Sequence, residues 1–177
     1  HPLVFEKYGK QSRAEMRDAT IEYARRLAIV FNILLGVLAG LAGQIIALWI
    51  GVEYAQFTPL LFCISAHLTL STCTVPYDAV HMAYDRVMWP GLAALASGAV
   101  CITTSILFLY ATSLEALAIA IPISLGVLFK KSVFTAWYAH KLAGGQLRSY
   151  FTPHSFGLFT FLQTFLTTRL VANVMPG

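Results

Sequence analysis

The sequence predicts an all-α bundle of about five membrane-spanning helices, and three observations carry that prediction. Of the 177 residues, 58% are hydrophobic and only 11% are charged, against about 25% charged in soluble domains. Five apolar stretches, at 27–50, 58–83, 88–110, 114–138 and 155–175, each approach the ~20 residues needed to cross a hydrocarbon core. Most connections between them are short, which makes successive helices antiparallel neighbours. With so few charges a water-soluble surface has no cover, so the apolar side chains face lipid. The same composition excludes a disordered chain.

The first element opens in the one long polar stretch, His1 to Arg26. Ser12 and Glu15 have the spacing of a capping box, which starts a helix near residue 12. That helix is expected to run to about residue 50, where Gly51 offers a C-cap. Leu3-Val4-Phe5 reads as the end of an earlier helix, and the chain as one transmembrane domain, 1–177, cut from a longer protein. Gly36, Gly40 and Gly43 form a small-residue surface for close helix packing.

The second helix, 58–83, carries Cys63, His67, Ser71, Thr74, Asp78, His81 and Asp85 at steps of three or four, hence on one face. Polar groups facing lipid are costly, so this stripe must meet a partner helix or a wet cavity. Ser71 and Thr74 are expected to bond a neighbouring helix, while His67 fits either that role or a pathway. Asp78 is read as lining a pathway, with solvation among headgroups as the plainer role for Asp78, His81 and Asp85. Asp78, His81 and Asp85 also place three metal-ligand types on one face, but no second cluster supports them and no metal site is expected. Pro76 removes a backbone hydrogen bond within the stripe and marks a kink or hinge.

In the third helix Gly91, Ala94, Gly98, Cys101 and Ser105 read as a second close-packing stripe. In the fourth, Pro122 and Gly126 permit bending, and Lys130 follows Gly126 by one turn. The 139–154 connection is the longest, with Gly144, Gly145 and Pro153 as breakers.

Orientation follows from charge. A cytoplasmic N-terminus puts eleven of the twelve Lys and Arg residues on that side, leaving only Arg169. Trp49 and Tyr54, and Trp137 and Tyr138, suit interfacial belts. No basic run is interleaved with aromatics in a polar setting, which excludes nucleic-acid partners. No nucleotide-binding glycine loop or nucleophile elbow is present, so neither an enzyme nor a cofactor is expected. The enzyme alternative would rest on Asp78, His81 and Asp85.

Pro2-Leu3-Val4 and a basic stretch lead into the first helix, which ends in Ile45-Ile46-Ala47-Leu48-Trp49-Ile50-Gly51. Val75-Pro76-Tyr77-Asp78 and then Tyr84-Asp85-Arg86-Val87-Met88-Trp89-Pro90 come next. Over about residues 1–140 this order resembles the second lobe of polysaccharide flippases. These belong to the superfamily of multidrug, oligosaccharidyl-lipid and polysaccharide exporters. Many of its members carry Asn near the position of Asp78, where this sequence departs.

The resemblance implies a two-lobe exporter in the cytoplasmic (inner) membrane that moves a lipid-linked glycan to the outer leaflet. It also implies a coupling cation, H+ or Na+, and contacts with membrane lipids and with glycan biosynthesis or polymerisation proteins. Under it, Arg25, Arg26, Arg86 and Lys130 are candidate phosphate contacts. His67 and Asp78, with His81, are candidate cavity or coupling groups. A cation-coupled multidrug efflux protein of the same superfamily is the alternative.

Overall fold

The computed structural model describes residues 12–174. Pro2 to Phe5, Lys7, Lys10 and Met175 lie outside the described residues. The described chain forms eight α-helices arranged as five rods, with no strand among the described residues.

The first rod is α1 (Arg13–Gly40) and α2 (Ala42–Trp49). Its start is the capping box: Ser12 Oγ accepts from the Glu15 amide, and Glu15 Oε2 accepts from the Ser12 amide at 2.9 Å. The expected unbroken helix to residue 50 is corrected at Leu41, whose φ −98°, ψ 8° interrupts the turn. Gly51 does end the rod: at φ +129° its amide reaches the Ile46 carbonyl, and a Cβ there would meet the Glu53 carboxylate.

A 3-10 segment, Val52–Phe57, leads into the second rod, α3 (Thr58–Ser71) and α4 (Val75–Ala83). Between them Thr72–Thr74 tightens into one 3-10 turn, which places Pro76 in the first turn of α4. The amide of Val75 then bonds the Thr72 carbonyl that an α-helical residue 76 would otherwise have satisfied.

The third rod is α5 (Met88–Ala111). The fourth runs from α6 (Ala116–Leu128) through a π-helix (Phe129–Thr135) into α7 (Ala136–Ala143). The fifth is α8 (Leu147–Val174). The expected loop at 139–154 therefore shrinks to residues 144–146. Pro153 lies inside α8 because the hydroxyl of Thr152 donates at 2.7 Å to the Ser149 carbonyl, the acceptor that a proline amide leaves empty.

Four rods are long and apolar enough to cross a membrane: Arg13–Gly40, Val52–Ala83, Met88–Ala111 and Ala116–Ala143. The fifth matches α1 in length at 28 residues, but Arg148, Gln163 and Arg169 dilute its apolar character.

Rod one and rod five form the centre. Met16, Thr20, Ala24, Ala28, Asn32, Gly36 and Gly40 recur every fourth residue along α1, and all are buried. This is one continuous ridge of mostly small side chains. Along it Arg17 meets Gly145, Gly36 meets Thr164 and Gly40 meets Thr168, a constant offset of 128 residues. The two helices therefore run parallel in fixed register. Around the basic end, Ala24, Tyr77, Ala136, Ala139 and Tyr150 make a common core of rods one, two, four and five.

Rod three is peripheral. Ser97, Cys101 and Ser105 face the carbonyls of Gly126, Pro122 and Ile119 on α6. The expected packing stripe is thus split, because Gly91 and Gly98 have nothing within 4 Å of a Cβ position.

A Cβ at Gly36 would lie 2.7 Å from Thr164 Cβ and 3.0 Å from the Phe161 carbonyl, whereas one at Gly43 finds only Thr58 Oγ1 at 3.5 Å. Gly36→Leu is expected to destabilise the purified full-length protein by about 2 kcal/mol. Gly43→Ala should leave the melting temperature in detergent unchanged or slightly raised. Equal melting temperatures for Gly36→Leu and wild type would show that α1 and α8 do not touch there.

Candidate functional site

The polar stripe of the second rod faces the fourth. Its upper part lies over a cleft of about 200 Å³, where His67 and Cys63 meet Ile121, Ser124 and Leu128. His67 Nδ1 lies 3.4 Å from the carbonyl of Cys63 on its own helix. The hydroxyls of Ser71 and Thr74 likewise turn to their own backbone, at the carbonyls of Leu68 and Ser71. This corrects the expectation that they bond a neighbour: within a bilayer the nearest unsatisfied acceptor of a strained turn is local.

The charged part lies at the basic end. Asp78 Oδ2 accepts from Lys131 Nζ at 2.5 Å, and its Oδ1 is 3.9 Å from His81 Nδ1. His81 is 2% exposed, enclosed between α4 and the fourth rod. Its ring stands edge-on to Tyr138 at 5.1 Å between centroids, and Tyr138 stacks on Phe134. On the other side of α4, Tyr77 Oη donates to the Tyr150 carbonyl at 2.9 Å, and Tyr150 Oη to that of Gly144. The helix holding Asp78 is thus pinned on both flanks by aromatic side chains. Tyr138, expected in an interfacial belt, is half-buried against the histidine, whereas Trp137 keeps Lys141 Nζ 4.2 Å over its ring.

The π-helix decides which lysine reaches Asp78. Thr135 Oγ1 donates to the Lys130 carbonyl five residues back, across the wide turn. The extra residue in that turn rotates one part of the rod against the other, so Lys131 points to Asp78 and Lys130 faces the cleft between α5 and α6. The sequence offers Lys130 and Lys131 alike for anionic headgroups or an anionic substrate, and only Lys130 is among the phosphate contacts that the resemblance suggests.

The remaining candidate cations are not gathered here. Arg25 and Arg26 both clasp Glu22, at 2.5 and 2.9 Å, on the outer side of α1, and Arg25 also lies over the Phe156 ring. Arg86 is exposed in the 84–87 turn. Asp85 is also exposed there, at φ +52°, apart from the buried His81. Among the described residues no group of three His, Cys, Asp or Glu side chains is placed to hold a metal ion.

The packing glycines and prolines fall where close approach matters: Gly36 and Gly40 against α8, Pro76 at the start of α4, and Pro122 buried beneath Cys101. Gly157, unremarked in the sequence, admits Asn32, whose Nδ2 spans the carbonyls of Ala28 and Thr69 at 2.7 and 3.1 Å.

Apolar rods with ionisable groups enclosed between them define the class: this is an all-α integral membrane protein. Among curated proteins the chain is similar to the uncharacterized membrane protein EpsK of Bacillus subtilis (strain 168), 22% identical over 143 residues. The match covers 81% of this chain and 28% of that relative, so the chain spans little more than a quarter of its length. No family model matches the chain, and no solved structure matches it.

Lys131→Met leaves a partly buried carboxylate without its counter-charge and is expected to cost about 2 kcal/mol, between the ranges for exposed and buried pairs. Adding Asp78→Asn should restore most of that loss, and Lys130→Met alone should cost little. Thermal unfolding in detergent of wild type, the Lys131→Met, Asp78→Asn and Lys130→Met variants and the double variant reads the cycle, and additive losses would show that Asp78 and Lys131 do not interact.

Proposed function

We propose that the chain is part of a transporter, and not an enzyme, that carries a lipid-linked oligosaccharide or polysaccharide precursor across the cytoplasmic (inner) membrane by alternating access. In this reading the Ser12 end faces the cytoplasm. The observation that carries it is the Asp78–Lys131 pair, with His81 sealed behind it, between the second and fourth rods. Ionisable groups are expensive inside a membrane bundle, and transport pathways are where they are kept.

Two features support the same reading. Each of these rods changes helix type next to the pair, at Thr72–Thr74 and at Phe129–Thr135, which leaves both segments able to bend. The likeness to a membrane protein extends over 81% of the chain. Asp78 is the group on which a coupling H+ or Na+ would compete with Lys131. Arg86 and the Arg25–Arg26 pair, at the entry to the basic end, are the groups for the phosphates of the arriving cargo. No bound cofactor enters this mechanism. Glycan biosynthesis or polymerisation proteins are its natural partners, as suppliers and consumers of the cargo.

The test uses the full-length protein in cells that depend on it for glycan export. Asp78→Asn and Lys131→Gln, at normal abundance, are expected to lower export roughly tenfold, the effect of about 1.4 kcal/mol of lost coupling. Arg86→Gln should lower it at limiting substrate. Undiminished export in all three variants overturns the reading. Loss of resistance to cationic drugs with glycan export intact would assign the pair to multidrug efflux instead.

A further inference from the structure

The pair at Asp78 uses only one of two adjacent lysines. Lys130 is half-buried, and no carboxylate among the described residues lies within ion-pair distance of it. Ser97 on α5 bonds the Gly126 carbonyl, so Lys130, one turn past Gly126, lies level with Ala93. Ala93 is five residues inside the start of α5 at Met88, or about 8 Å along the helix. The ammonium therefore belongs to the basic half of the bundle, yet it stands inside the rods.

From that level a cleft between α5 and the fourth rod follows α5 as far as Phe108, about 22 Å of helix. Next to the lysine its lining is small: Ala93, Ala96 and Ser97 on α5, and Gly126 on α6. Small side chains let a further helix come close in a membrane, where packing rather than hydrophobicity drives association. Beyond them the lining is apolar, and the hydroxyls of Ser97 and Thr104 already donate to main-chain carbonyls. No described side chain covers this surface: Val100 is 61% exposed and Leu125 60%.

We infer that a further membrane helix of the full-length polypeptide lies in the α5–α6 cleft and sets an Asp or Glu carboxylate against Lys130. Charge complementarity names the occupant. An ammonium among apolar helices is kept where a carboxylate on a neighbouring helix answers it, as Asp78 answers Lys131. A second copy of the described residues has no such group free on a helix face at this end. Glu15 is held by Ser12, Asp18 by Arg17, Glu22 by Arg25 and Arg26, and Asp78 by Lys131. Asp85 lies in the exposed 84–87 turn, and Glu53 and Glu115 are at the opposite ends of their rods. A polypeptide as long as EpsK, of which this chain spans little more than a quarter, has ample chain for that helix. The inference is independent of what the protein transports.

The experiment uses the full-length protein in its membrane, with a photoreactive benzophenone side chain placed at Val100, at Leu125 or, for comparison, at Leu95, which lies outside the cleft and is 74% exposed. Joined peptides are mapped after irradiation. Val100 and Leu125 are expected to join one and the same peptide of the same polypeptide, from outside residues 12–174 and containing Asp or Glu, whereas Leu95 joins lipid. The yield at Leu125 should fall in Lys130→Gln and fall roughly tenfold in Lys130→Glu, the equivalent of one charge-assisted hydrogen bond, and hold in Lys130→Arg. Putting Lys in place of the acidic residue so found should restore it in Lys130→Glu. The occupant can leave the cleft without the bundle unfolding, so the melting temperature of Lys130→Gln should hardly move.

Light and isotopically heavy copies, mixed before irradiation, separate joins within one polypeptide from joins between two. Joins to lipid alone at both cleft positions, joins between copies or to a different protein, or a joined peptide with no acidic residue overturns the inference. So does an equal yield in wild type and Lys130→Gln, or a loss in Lys130→Glu that the exchanged charge leaves unrepaired.

Discussion

Everything in this bundle is referred to the seam between α1 and α8. Lipid offers greasy helices no reward for leaving it, so they associate only where their surfaces interlock closely. Seven consecutive fourth-position residues of α1 supply such a surface, and only Met16 among them is large. Because α8 runs parallel at a constant offset, the short turn at 144–146 and the three intervening rods must all fit between two fixed ends. Asn32 secures this seam to rod two through the Thr69 carbonyl, and Cys73 faces the Pro153 carbonyl from the same side. Rods one, two and five therefore meet at one level, and rod four closes on them at the basic end. Rod three hangs from rod four through Ser97, Cys101 and Ser105. The result is a closely packed inner group and one outlying helix.

Backbone chemistry explains how such rods tolerate their prolines. Each proline withdraws one donor from a phase that has no water to replace it. At Pro76 the chain tightens to 3-10 geometry and recovers the bond from the backbone itself. At Pro153 a threonine hydroxyl supplies it. Threonine and serine recur beside these sites for that reason, and their hydroxyls are consequently unavailable to cargo.

Much of this was readable in the sequence. Apolar length and charge placement gave the rods, Ser12 and Glu15 marked the first helix start, and Gly51 its end. Gly36 and Gly40 were recognisable as contact points, although the ridge they belong to is longer and includes Asn32. The beginning of α8 was not readable. Pro153 after two glycines has the appearance of a breaker, and only the three-dimensional position of Thr152 shows otherwise. Asp78 and His81 were visible by spacing, but the partner of Asp78 was not. Helical periodicity assigns Lys130 to one face and Lys131 to the next, and that arithmetic holds only while the helix stays α. Seven residues of π-helix break it, and they leave no trace in composition.

That wide turn also has a bearing on descent. A π-helix amounts to one residue more than an α-helix between the same two end points. This surplus position sets the phase of the rod, with Lys131 turned to a carboxylate and Lys130 to a cleft. Losing a single codon within Phe129–Thr135 would straighten the rod and turn everything on one side of the loss by about 100° against the other. An ungapped alignment across this stretch equates residues that look in different directions. Kinship in this region is better traced by counting positions than by matching letters.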